Sequence, residues 1–249
     1  MTTSANLVTL IGASILAAHA NAAVIAGWDF QTTTNGGTAV AAAPATPKSF
    51  IANFGSGSLY LNGTNGSSNF FVPASGTTNT ELNAFTGTSV NADTSIGMST
   101  VTSGAAALAV LGGLSSAANG KSMVFAFSMS GYAGLSISYA TQRTSTGFTS
   151  QVLEYSTDGV NWQLIGANTS IQSSFSALPS PGGVTTVFSG ITGLDGSAVA
   201  YVRMTLTGAT SSSGNNRFDN FVFSADVVPA PGAMALLGVA GLLGARRRR

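Results

Sequence analysis

Cysteine is absent from the 249-residue chain, and histidine occurs once, at His19. No disulfide framework, thiolate metal site or cysteine nucleophile can be built from such a sequence. His19 falls in a segment read below as a removable leader, so a Ser-His-Asp relay and histidine-ligated zinc are excluded as well. Charge is scarce: Asp, Glu, Lys and Arg together make up 7% of the residues, against about 25% in an average globular protein. Disorder usually couples low hydrophobicity to high net charge. Here 44% of residues are hydrophobic and the formal net charge is +1, which leaves enough apolar material for a core. No GxGxxG or Walker phosphate loop occurs. Outside the last four residues no cluster of Lys and Arg exists to displace counterions from a nucleic acid, so no nucleic-acid partner is expected.

What is present begins with two address-like ends. Residues 7–18 read LVTLIGASILAA and lead to His19-Ala20-Asn21-Ala22. An apolar run of this length followed by an A-x-A pattern at Ala20 and Ala22 has the form of a secretory signal helix with its cleavage site, engaged by the export translocon. It is short for a spanning helix, which takes about 20 apolar residues. At the other end, Val228-Pro229-Ala230-Pro231-Gly232 precedes an apolar stretch over 233–245, and Arg246, Arg247, Arg248 and Arg249 close the chain. The prolines stop a helix from extending upstream. The apolar stretch reads as a short transmembrane helix, and the arginines hold its end on the cytoplasmic side.

This tail resembles the PEP-CTERM protein-sorting signal of Gram-negative bacteria, with Ala230 where that family's name-giving Glu stands. The resemblance implies handling by an exosortase-type sorting enzyme, an inner-membrane anchor, and release to the cell surface or the extracellular polysaccharide matrix. A plain C-terminal anchor implies the same topology without processing.

Between the ends, residues 23–227 form the expected extracytoplasmic domain. Period-2 alternation marks strands at 121–130 (Met123, Phe125, Phe127 and Met129 on one face), at Leu135, Ile137 and Tyr139, and at Val202, Met204 and Leu206. Asp158-Gly159 predicts a two-residue type I′ turn joining strands over 152–157 and 160–165. Further strands are expected at 24–30, 58–61, 69–72, 184–188 and 217–223, one short helix over 105–111, and long loops over 31–48 and 85–104. An all-β sandwich of two sheets buries the inner faces of such strands. The pattern resembles jelly-roll, galactose-binding-like sandwiches of exported proteins. In that resemblance Trp28-Asp29-Phe30 and 216–223 are first and last strands lying side by side.

The domain keeps five basic and eight acidic side chains, a formal charge of −3. Glu154 and Asp158 are the nearest carboxylate pair for glycoside hydrolysis. Asp158 is better explained by the turn and Glu154 by a solvated or ion-paired position, so no catalytic residue is assigned and no enzyme is expected. Calcium is a candidate at Asp29 and Asp219, with asparagines at 215, 216 and 220 nearby, because hard cations take carboxylate and amide oxygens. Otherwise Arg217 pairs with one of these aspartates, and the chain has no cofactor. Tyr132, flanked by glycines, is the expected exposed platform for a sugar ring, with Arg143 supplying hydrogen bonds beside it. The readings that follow are a non-enzymatic envelope or matrix protein, or a carbohydrate-binding module.

Overall fold

The computed structural model describes residues 22–32, 49–73, 79–100, 106–172 and 185–229. These residues form strands β1 (Ala22–Trp28), β2 (Ser49–Ile51), β3 (Phe54–Gly55), β4 (Gly57–Tyr60), β5 (Leu82–Phe85), β6 (Ala107–Leu111), β7 (Ser122–Phe127), β8 (Tyr132–Arg143), β9 (Ser150–Ser156), β10 (Gln163–Asn168), β11 (Thr185–Ile191), β12 (Ala200–Thr207) and β13 (Asn215–Val227). The first sheet runs β11-β8-β13-β1-β3, with β6 pairing the start of β13 and β5 pairing β6. The second runs β10-β9-β12-β7-β4-β2. The chain crosses repeatedly between them, which makes the domain a two-sheet jelly-roll sandwich.

Alternation decides what faces the shared core. Met123, Phe125 and Phe127 on β7 stand in register with Met204, Val202 and Ala200 on β12, and all six are buried. Opposite them the first sheet contributes Leu135, Ile137, Tyr139, Phe218, Phe221 and Phe223. The Phe125 ring meets Trp28 at 5.1 Å, Phe221 at 4.8 Å and Phe223 at 5.0 Å between centroids. The Trp28 indole N–H donates to the Phe50 carbonyl at 3.1 Å, so the largest core side chain carries no orphan donor.

One irregularity in β13 has structural consequences. Phe218 and Phe221 both face the core although they lie three positions apart, which regular alternation forbids. The register shifts between Asp219 and Val222, and Asn220 takes a positive φ of 47°. This bulge inserts the extra residue that returns Phe221 and Phe223 to the core side.

Strands are observed at each of 24–30, 58–61, 121–130, 184–188 and 217–223, with β7 ending earlier at Phe127, β11 running on to Ile191 and β13 extending from Asn215 to Val227, and β1 pairs β13 antiparallel. Three expectations are corrected. Of the segment expected as a helix over 105–111, residues 107–111 form β6, which pairs β5 on one side and β13 on the other and is buried on both faces, so that tertiary burial outweighs helix propensity. Residues 69–72 form only an isolated bridge, Asn62 to Asn69. The type I′ turn is a wider loop, since Gln163 rather than Trp162 pairs with Tyr155. The Asp158 carboxylate holds that loop open by accepting the N–H groups of Val160 and Asn161, each at 2.8 Å.

Ala22 pairs with Asp226, and the Val228 N–H donates to the Gly131 carbonyl just before Pro229. Ala20, Ala230, Pro231, Gly232, Arg246, Arg247, Arg248, Arg249 and the two expected terminal helices lie outside the described residues. Among the described residues no helix is long and apolar enough to cross a membrane.

Candidate functional site

Asp29 and Asp219 are brought together, both fully buried, on the face of the first sheet turned away from the core. Asp29 follows β1, and its Oδ1 accepts the N–H groups of Gln31 at 3.1 Å and Thr32 at 2.9 Å. Its Oδ2 accepts the Ser99 N–H at 3.0 Å and the Thr32 hydroxyl at 2.5 Å. Asn53 Oδ1 receives the N–H groups of Asp29 and Phe30. Asp219 Oδ2 accepts the Thr88 N–H at 2.8 Å and Oδ1 that of Asn220 at 2.9 Å. The Asn220 amide donates to the carbonyls of Thr88 and Val90, each at 2.8 Å. Asn91 then reaches the Asn220 carbonyl and the Ser138 hydroxyl. These bonds fasten the connection between β5 and β6 onto the sheet. Gly87 fits beneath it because it lacks a Cβ, which would stand 2.6 Å from Asp219 Oδ2.

Burial pushes the Asp219 carboxyl well above the ordinary carboxylate value; the Thr88 and Asn220 N–H groups oppose the shift and the Asp29 charge adds to it. A carboxyl whose folded value is raised binds its proton more tightly in the fold than in the unfolded chain. Its contribution to stability is therefore complete below about pH 4 and is lost as pH rises through the folded value. The difference in melting temperature between the native chain and Asp219→Asn, followed upward from pH 4, is expected to move against the native chain. A difference that stays flat with pH contradicts this account.

Tyr132 and Arg143 are not brought together. They occupy opposite ends of β8, about 36 Å apart at the usual rise per residue. Tyr132 is half-buried and packs on the core, while its carbonyl accepts the Gly196 N–H. Arg143 curls onto its own turn, donating to the carbonyls of Ser145 and Thr144. Arg217 makes no ion pair with Asp29 or Asp219; its guanidinium lies 4.4 Å from the Phe85 ring centroid. Glu154 is ion-paired as expected, with one oxygen 2.9 and 2.7 Å from Arg203 Nε and Nη2. That arginine lies 4.2 Å from the Trp162 ring centroid.

A different residue meets the description of a sugar platform. Phe71 is 53% exposed and is the one aromatic side chain among the described residues that is exposed rather than buried or half-buried. It borders an open pocket of about 380 Å³ with Asn79, Glu81, Leu114 and Ala117. The signal was present in the sequence as the doublet Phe70-Phe71, since adjacent residues of an extended chain point to opposite sides. Phe70 is fully buried, which forces Phe71 outward.

Glu81 fixes this end of the domain. Its N–H donates to the Phe71 carbonyl at 2.8 Å. Its Oε2 accepts the Phe71 N–H and the Lys121 ammonium, each at 2.5 Å, while Oε1 has no partner among the described residues. Lys121 also donates to the Asn69 carbonyl at 3.1 Å and lies 5.6 Å from the Phe70 ring centroid. Gly113, at φ 70°, closes in where a Cβ would stand 2.6 Å from Glu81 Cγ. Phe71 is thus an exposed ring on a backbone held at both its N–H and its carbonyl.

The fold and this pocket define a two-sheet β-sandwich domain with one exposed aromatic ring, Phe71, among its described residues. No family model matches the chain, and no curated protein matches it. Among solved structures it is similar to TmCBM61 in complex with β-1,4-galactotriose, at 9% identity and TM-score 0.34 over 57% of this chain and 81% of that one. It is also similar to the K3 cleaved adhesin domain of Lys-gingipain from Porphyromonas gingivalis, at 13% identity and TM-score 0.41 over 82% and 99%. A third is the Stig cyclase Fisc from Fischerella sp. TAU, at 13% identity and TM-score 0.44 over 84% and 100%.

Proposed function

We propose that the chain is an exported, non-enzymatic protein whose β-sandwich binds an extracellular glycan through the Phe71 pocket. The observation that carries this reading is the exposed Phe71 ring beside Asn79 and Glu81. A pyranose presents a C–H face to an aromatic ring and hydroxyls to amide and carboxylate oxygens, and the fixed Phe71 backbone lowers the ordering cost of binding. Glycan-array screening of the intact chain, followed by titration, tests it. Saturable binding is expected, weakened about tenfold or more by Phe71→Ala, or roughly 1.4 kcal/mol, and unchanged by Tyr132→Ala. Silence across the array, or equal binding by Phe71→Ala, removes the proposal.

Export and sorting belong to the same reading, supported by the two terminal segments of the sequence. Intact-mass measurement on protein from its native host is expected to find a start at Ala23 and an end upstream of Arg249. A mature chain still ending in Arg249 leaves a simple membrane anchor without a sorting enzyme. Calcium between Asp29 and Asp219 is a second proposal, favoured by two carboxylates buried on the same side of the paired strands β1 and β13. A melting temperature raised by calcium and lowered by EDTA supports it, and no shift removes it.

A further inference from the structure

Among the described residues strand β11 is the long outer strand of the first sheet. It pairs, among the described residues, only with β8, and its neighbour β10, at the same side of the second sheet, pairs only with β9. The margins at the far side are short: β2 has three residues and β3 two. Edge strands are normally guarded against pairing by charge, proline or distortion. Neither β11 (TTVFSGI) nor β10 (QLIGAN) contains a charged residue or a proline. The register irregularity of β11 lies between Phe188 and Ile191, leaving 185–188 in regular register with β8.

The two faces of β11 are differently employed. Phe188 turns inward and packs where Gly166 of β10 has no side chain; a Cβ at Gly166 would stand 2.8 Å from the ring. Val187 points out and is 61% exposed, and Leu164 on β10 is 69% exposed. In an antiparallel sheet alternate residues turn N–H and C=O away from the single neighbour. Among the described residues no backbone hydrogen bond reaches 185–188 from that outer side.

We propose that β11 pairs antiparallel with β11 of a second copy of this chain about a two-fold axis, so that the first sheet runs through both copies. A strand pairing with itself across a two-fold is self-complementary. An edge without charge meets its own copy without like-charge repulsion, and the thinly charged chain adds little repulsion at longer range. A charged peptide, by contrast, finds no complementary group on this edge. Thr, Val and Phe are also strand-favouring residues.

The absence of cysteine makes the test specific. In a pair centred near Val187, the two Val187 side chains share one sheet face with Cβ atoms about 5 Å apart, within reach of a disulfide after small adjustment. The full chain carrying Val187→Cys, oxidised in detergent, is expected to form a covalent dimer, whereas Val160→Cys, at a loop position 74% exposed, is expected to stay monomeric. Equal cross-linking of the two variants overturns the proposal. Sedimentation equilibrium of the cysteine-free chain is expected to show a dimer that Val187→Lys converts to monomer. A native chain that remains monomeric at about 100 µM, or a dimer indifferent to Val187→Lys, overturns it as well.

Discussion

Asp29→Ala is expected to lower the unfolding free energy by about 3–5 kcal/mol, one of the two largest losses from a single substitution in this domain. The alanine leaves the N–H groups of Gln31, Thr32 and Ser99 and the Thr32 hydroxyl without their acceptor. Each buried donor stranded in this way costs about 1–3 kcal/mol, reduced where water reaches the opened site. Asp29→Asn keeps one acceptor oxygen and is expected to lose roughly half as much. The loss is read as a fall in the urea midpoint at unchanged slope. Amide exchange is expected to quicken first between Thr88 and Ser99, the segment that Asp29 and Asp219 fasten. An unfolding free energy within about 1 kcal/mol of the native chain's shows that the clasp is not what holds that segment. A loss that disappears when the native chain is measured in EDTA assigns the effect to a bound cation.

Much of the sandwich was legible because alternation is a local property. Met123, Phe125 and Phe127 announce β7 without any knowledge of what they pack on, and the likeness of 24–30 and 217–223 to neighbouring terminal strands anticipated the pairing of β1 with β13. The failures occur where a non-local contact decides. The alanine-rich segment ending at Leu111 reads as a helix until β13 and β5 enclose it on both sides. Asp158-Gly159 carries the signature of a tight turn, yet the carboxylate accepts two N–H groups further along and widens the loop. The bulge at Asn220 leaves no mark in the sequence except the spacing of Phe218 and Phe221.

The candidate site was legible only in part, for the same reason. Asp29 and Asp219 were singled out together and do lie together, because the strands that carry them pair. Their partners, Asn53, Thr88 and Ser99, come from distant segments with no motif of their own. Tyr132 looked exposed because glycines flank it, but glycine marks a turn and not the direction of the next side chain. Phe71 falls within the strand expected over 69–72, and its doublet with Phe70 requires one ring to point outward. Scarcity of charge has a structural side too: two ion pairs, Lys121 with Glu81 and Arg203 with Glu154, tie neighbouring segments among the described residues. The remaining polar contacts join unpaired carboxylates such as Asp29, Asp158 and Asp219 to backbone N–H groups, or are made by Asn, Ser and Thr.

Phe125→Ala is the other large effect, and it tests the core as Asp29→Ala tests the clasp. Phe125 lies at the middle of β7, paired with Leu59 on β4 and Val202 on β12, and is 1% exposed. Its ring touches three aromatic side chains of the opposite sheet, Trp28, Phe221 and Phe223. Truncation removes most of the buried side chain and leaves a cavity between sheets whose backbones are tied by hydrogen bonds and cannot close over it, at a cost of about 3–5 kcal/mol. For a domain of this size that corresponds to roughly 10 °C in melting temperature. Phe125→Leu fills most of the volume and is expected to recover more than half of the loss. Trp28 provides an internal reporter, because water entering beside its indole shifts its emission to longer wavelength. A Phe125→Ala chain with native melting temperature and native emission would mean that the two sheets do not share the core described above.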